Sequence, residues 1–165
     1  MEGLTSMTKL RRLNLSFNRI TKLEGLSNCQ MIEFLELGKN QINNADALQS
    51  GQNKFVFLTE LYLYINRLRS VPRQLNFPQL KVFNLNQNAE LRELDIGYCP
   101  LLETISCSQC SLANLYTLSG CQSLRELDIS FNQMPSLPAL FKVLQFNDPK
   151  YMRSLVFNDN VFNQV

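Results

Sequence analysis

Cys107-Ser-Gln-Cys110 is the stretch whose residue types and spacing come nearest to covalent or metal chemistry. A C-x-x-C pair can supply half of a tetrahedral zinc site or a dithiol redox couple. Completing a zinc site needs a second close set of soft ligands. The chain has no His, and its other cysteines, Cys29, Cys99 and Cys121, stand far apart. The missing His also removes the commonest general base and the usual physiological pH switch. Glu36, Glu60, Glu126 and Asp128 occur singly, so no paired-carboxylate site is built, and they read as a solvated face. Asn14-Leu15-Ser16 is a formal glycosylation acceptor. No Gly-rich phosphate loop, nucleophile elbow or complete metal motif occurs. These residue types argue against an enzyme and imply no cofactor and no metal.

The elements that carry these residues follow from a repeat. The phrase Leu10-Arg-Arg-Leu13-Asn-Leu15-Ser-Phe-Asn18-Arg-Ile20 fits the template L-x-x-L-x-L-x-x-N-x-L. With Leu10 as position 1, position 1 returns at Ile32, Leu58, Leu80, Leu102, Leu124 and Met152. Position 4 reads Leu13, Leu35, Leu61, Phe83, Ile105, Leu127, Leu155, and position 6 reads Leu15, Leu37, Leu63, Leu85, Cys107, Ile129, Phe157. Side chains of a strand alternate with period two, so positions 4 and 6 share the inward face. Position 9 reads Asn18, Asn40, Asn66, Asn88, Cys110, Asn132, Asn160. An Asn leaving a strand at a sharp corner can pair the backbone groups that the turn carries into the core. Within this frame Cys107 and Cys110 fill positions 6 and 9, and Cys29, Cys99 and Cys121 share position 20. All five cysteines therefore read as free core residues, as a reducing compartment allows.

Residues 1–165 read as one domain with incomplete repeats at both ends, without a capping element at either. In the fourth copy Leu91 and Leu94 fall one residue late, which reads as a one-residue bulge. A competing register begins at Leu91 (Leu91, Leu94, Ile96, Cys99), and the even steps through Leu80, Leu102 and Leu124 favour the first. The second copy carries extra residues within Gln49–Phe55, and in the sixth Ala139–Leu144 reads as a short helix. Val71-Pro72 and Met134-Pro135-Ser-Leu137-Pro138 read as extended or 3₁₀ segments, since Pro fixes φ and cannot donate to a ladder.

These seven copies resemble the leucine-rich-repeat family over nearly the whole chain. The 22-residue step, with Ile20, Leu23 and Leu26 at three-residue spacing, resembles the short intracellular subclass typified by a regulatory subunit of protein phosphatase 1. The resemblance implies an α/β right-handed solenoid. A parallel sheet would line its concave face, with 3₁₀, extended and short helical segments on the convex side.

Positions 2, 3, 5, 7 and 8 would then point outward on the concave face. Phe34, Tyr62, Tyr64 and Ile65 gather on neighbouring copies and are surplus to a core already filled, and such aromatics are enriched at interface hot spots. Arg11, Arg12, Glu33, Glu36 and Glu60 would frame them as a polar rim. Asn84 faces out on the adjacent copy, where its loss should cost the fold little. The candidate contact surface is therefore Arg12, Phe34, Glu36, Glu60, Tyr62, Tyr64, Ile65 and Asn84. The competing explanation is β-propensity alone.

Net charge is +2, with 16 basic and 14 acidic residues dispersed along the chain, which points to no nucleic-acid partner. No apolar run is long enough for a bilayer, and the N-terminal stretch lacks a secretion-signal pattern, so the expectation is a cytoplasmic protein without a membrane partner. The function expected is a non-enzymatic interaction module whose concave face takes a protein or peptide. Alternatives are self-assembly into homo-oligomers through uncapped ends, or a regulatory or targeting segment of a larger protein.

Overall fold

A computed structural model describes residues 3–48, 55–73, 75–116, 118–145 and 151–162. Seven short strands, β1 (Arg12–Asn14), β2 (Phe34–Glu36), β3 (Glu60–Tyr62), β4 (Val82–Asn84), β6 (Thr104–Ser106), β8 (Glu126–Asp128) and β9 (Ser154–Val156), form one sheet in that order. Every pairing is parallel and in register. Leu13, Leu35, Leu61, Phe83, Ile105, Leu127 and Leu155 stand side by side in the middle of their strands. From Leu35 to Leu127 these side chains are essentially inaccessible, and the core extends through Leu37, Leu63, Leu85, Cys107 and Ile129. Toward the two edge strands the burial thins, and Leu10, Leu15, Leu155 and Phe157 are only partly covered.

The corner after each strand is held by the position-9 side chain. Asn66 Nδ2 donates to Leu37 O and Leu63 O, each at 3.0 Å, while its Oδ1 accepts from Ile42 N at 2.9 Å. Asn40, Asn88, Asn132 and Asn160 repeat this arrangement, each accepting from a backbone N–H of the preceding copy and donating to carbonyls of both copies. One buried amide thus satisfies polar groups on two adjacent turns, which makes the copies mutually dependent.

Cys110 breaks this ladder in a way that explains the irregular fourth copy. Its Sγ donates to Leu85 O at 3.5 Å but offers no strong acceptor to the preceding copy. There the extra residue lets Leu91 N bond Asn88 O of its own copy at 2.9 Å, and Ser111 N bonds Leu91 O. The bulge and the Asn-to-Cys change compensate one another. The strand frame runs through Val82, Thr104 and Glu126, while Leu91 and Leu94 turn inward and β5 (Glu93–Leu94) pairs with β7 (Asn114–Leu115) in a second, two-stranded parallel sheet.

Among the described residues, 3₁₀ turns lie at Leu4–Ser6 before β1 and at Asp46–Leu48, and Leu137–Leu144 forms an α-helix, α1. The helix begins earlier than the expected Ala139 and overrides the extended or 3₁₀ reading at Leu137-Pro138. Ser136 Oγ caps it by accepting from Ala139 N, and a proline in the first turn leaves no broken hydrogen bond. The insertion expected at residues 49–54 lies outside the described residues, apart from Phe55, which is buried and packs edge-on against Phe77 at 6.4 Å. That pair fills the slot that Cys29, Cys99 and Cys121 occupy, buried, in other copies. Cys29, Phe55, Phe77, Cys99 and Cys121 occupy equivalent slots, each carbonyl accepting from the N–H three residues on, at the start of the next strand segment.

Candidate functional site

The outward face of β1–β3 carries a set of mutually touching side chains that the core does not consume. Phe34 and Tyr62, one strand apart, have ring centroids 5.6 Å apart in a tilted contact. The Arg12 guanidinium lies 4.1 Å from the centroid of Phe34 on its other side. Tyr62 Oη donates to Glu60 Oε2 at 2.8 Å. Arg12, Phe34, Tyr62 and Glu60 therefore form one continuous row across three strands, fixed by the in-register pairing Arg12–Phe34–Glu60 and Glu36–Tyr62. Burial, the hydrogen bond to Glu60 and the charges of Glu60 and Glu36 push the Tyr62 phenol up to about 12.

Glu36 and Tyr64 are joined through a glycine. Glu36 Oε1 accepts from Gly38 N at 2.8 Å. The Tyr64 ring of the next copy lies against Gly38 so closely that a Cβ there would fall 2.4 Å from Tyr64 Cζ. The bare Gly38 leaves room for the ring, and a Cβ there would push Tyr64 aside. Glu36 is 9 % exposed, and burial raises its carboxyl above the ordinary value despite the opposing effect of the Gly38 hydrogen bond. Burial, followed by the charge of Glu36, also raises the Tyr64 phenol.

Asn84 and Ile65 are placed differently from the sequence expectation. Asn84 points outward but is not idle, because its Oδ1 accepts from Asn86 N at 3.0 Å. Asn14, Glu36 and Asp128 do the same for Ser16 N, Gly38 N and Ser130 N. The outward residue at position 5 thus often caps the N–H two residues on as the chain leaves the strand. Asx chemistry is the sequence signal that could have revealed it. It also engages Asn14, whose Oδ1 accepts from both the backbone and the hydroxyl of Ser16.

Position 8 is not on the strand face. Phe17, Lys39, Ile65, Gln87, Gln109, Phe131 and Asp159 all adopt positive φ at the corner. Ile65, at φ 51, is a β-branched residue in the left-handed region and is still exposed. Phe17 and Phe131 are likewise exposed, and Lys39 Nζ sits 4.2 Å from the Phe17 centroid.

The cysteines are placed in the core. All five are free and buried, and Cys107 Sγ and Cys110 Sγ are 3.5 Å apart. Among the described residues no group of His, Cys, Asp or Glu is arranged to hold a metal ion. Among the same residues no helix is long and apolar enough to cross a membrane.

Two segments, residues 6–23 and 120–134, match the family model described as Leucine Rich repeat. The functional domain of InlJ from Listeria monocytogenes, described as including a cysteine ladder, has 22% identity to this chain. The match covers 100% of this chain and 38% of that one, with a TM-score of 0.61. The fold is a leucine-rich-repeat solenoid. A leucine-rich-repeat protein of Leptospira interrogans is similar to it at 24% identity and a TM-score of 0.60, over 97% of this chain and 46% of that one. The chain thus spans less than half the length of either solved structure. No curated protein matches it. Leucine-rich-repeat solenoids are typically protein-interaction scaffolds, and in this one the copies around β2–β4 bear the outward aromatic row.

Proposed function

We propose that this protein is a non-enzymatic interaction module whose strand face around β2–β4 takes a protein or peptide partner. The observation that supports it is the row Arg12–Phe34–Tyr62–Glu60 with Tyr64 beside it. These half-covered rings stand over a core that is already closed. Rings held in place by neighbours lose little entropy on binding, which is what an interface anchor needs. Ile65, 36 % exposed at the corner after β3, adds apolar surface at the margin of this row. Tyr62 and Tyr64 are the anchors, Arg12, Phe34, Glu36 and Glu60 surround them, and Asn84 contributes shape through its capped turn.

The test is a peptide-display selection on the intact chain, followed by the double substitution Tyr62→Ala/Tyr64→Ala. Selected ligands should lose binding to the variant while its cooperative unfolding persists. Undiminished binding refutes the anchor assignment.

A second reading, self-association through the edge strands, is favoured by Leu155 and Phe157. Both are only partly covered, whereas their counterparts Leu61 and Leu63 are fully buried. Sedimentation velocity over a concentration series decides it, since a concentration-independent monomer rules it out. A regulatory or targeting role within a larger protein rests on the repeat length alone.

A further inference from the structure

The outward residues of the seven main-sheet strands are chemically lopsided. Glu36, Glu60, Glu126 and Asp128 are acidic, and Arg12 is the single cation among them. Arg12 is already stacked on Phe34. Around Tyr62 two carboxylates and two rings alternate on adjacent strands, with Phe34 opposite Glu60 and Glu36 opposite Tyr62. Tyr64 leans over Gly38 from the next strand and closes one side. Within this square Glu36 is nearly buried. One of its oxygens is engaged by Gly38 N, and no ion pair among the described residues reaches it. A nearly buried carboxylate without a cation is an incomplete electrostatic arrangement.

We infer that the strand face of β2 and β3 is a receptor for an arginine side chain of the partner, its guanidinium stacked on the Tyr62 and Tyr64 rings and paired with Glu36. This deepens the interaction-module reading and rests on it. A guanidinium suits the site better than an ammonium, because it is planar, stacks on aromatic faces and presents a fork of donors to a carboxylate. The same face already holds one such contact, Arg12 over Phe34 at 4.1 Å. Glu60, occupied in part by the Tyr62 hydroxyl, supplies the second negative charge. Burial of Glu36 raises its carboxyl, so a paired cation would bring it back down.

The probe is N-acetyl-arginine amide, titrated into the labelled protein and followed by NMR at the Gly38 amide and the Tyr62 and Tyr64 rings. A saturable shift at these signals is expected. The uncharged citrulline analogue should produce none. Glu36→Gln keeps an acceptor for Gly38 N and the side-chain shape, and should weaken the arginine response at least about tenfold. If that variant loses the folded spectrum, Tyr64→Leu, which keeps bulk over Gly38, replaces it and should weaken the response severalfold. No shift with the arginine probe, an equal shift with citrulline, or an undiminished response in the folded variant overturns the inference. The display selection separates the two levels. Ligands that need Tyr62 and Tyr64 but carry no arginine overturn the arginine pocket and leave the interaction surface standing. Absence of any ligand that needs Tyr62 and Tyr64 overturns both.

Discussion

Replacing Asn66 with alanine perturbs one corner and leaves its strand untouched. Asn66 is 8 % exposed, and its amide serves two copies at once. The carbonyls it contacts have other donors. Leu37 O also accepts from Asn40, Leu63 O from Asn88, and Tyr64 O from Lys39 N. Ile42 N is different, since among the described residues its hydrogen bond goes to Asn66 Oδ1. The loss therefore reduces to one stranded buried N–H plus weakened carbonyl pairing, about 2 kcal/mol within the usual range for such a group. Asn18 is the control. It is exposed, donates to Leu15 O and Ser16 O, and accepts nothing from a preceding copy, so Asn18→Ala should cost less than about 1 kcal/mol. Urea unfolding measures both totals, and native-state hydrogen exchange locates the damage. The Ile42 amide should lose protection in Asn66→Ala and keep it in Asn18→Ala. Equal costs for the two variants, or an Ile42 amide that stays protected, would refute the reasoning that the amide column couples neighbouring copies.

Asn84→Ala should destabilise measurably, by about 0.5–1 kcal/mol in urea unfolding, while Asn84→Asp, which keeps the acceptor for Asn86 N, should recover most of it. Glu36 titrates above its ordinary value in the fold, so its contribution is fully present in acid and is lost as pH rises through the raised value. Glu36→Gln should accordingly match the parent near pH ~4 and be at least as stable at neutral pH, and a variant less stable at neutral pH than in acid relative to the parent would contradict this. In an ultraviolet titration one tyrosine should ionise near 12, and Glu60→Gln should lower it by removing the carboxylate charge while leaving a neutral acceptor for the hydroxyl. An unchanged titration would show that Glu60 does not hold the ring.

Much of this architecture is legible in one repeated phrase, because the residues at positions 4, 6 and 9 have only one way to be satisfied together. Leu35, Leu37 and Asn40 must face inward, and the strand pairing follows from stacking such units. The irregular fourth copy is legible as a bulge at Leu91, but its cause is not. That requires seeing that Cys110 cannot accept the hydrogen bond the bulge replaces. The site is legible as residue types rather than as contacts. Phe34, Tyr62 and Tyr64 stand out as surplus aromatics, but the reach of Tyr64 over Gly38 depends on a glycine in another copy. The outward exposure of Ile65 is legible, but its place at a corner where every copy switches to positive φ is not. The role of Asn84 is likewise hidden in the residue type, since an outward side chain can still cap its own strand exit.

The most direct test of the interaction surface is a footprint. A display-selected peptide is bound to the intact protein, and backbone amide shifts are mapped along the chain. Perturbations should cluster on β2, β3 and β4, at Phe34, Glu36, Gly38, Tyr62, Tyr64 and Asn84, and leave β5, β7 and α1 unchanged. A footprint centred on β5, β7 or α1, with the β2–β4 strand face silent, would contradict the assignment.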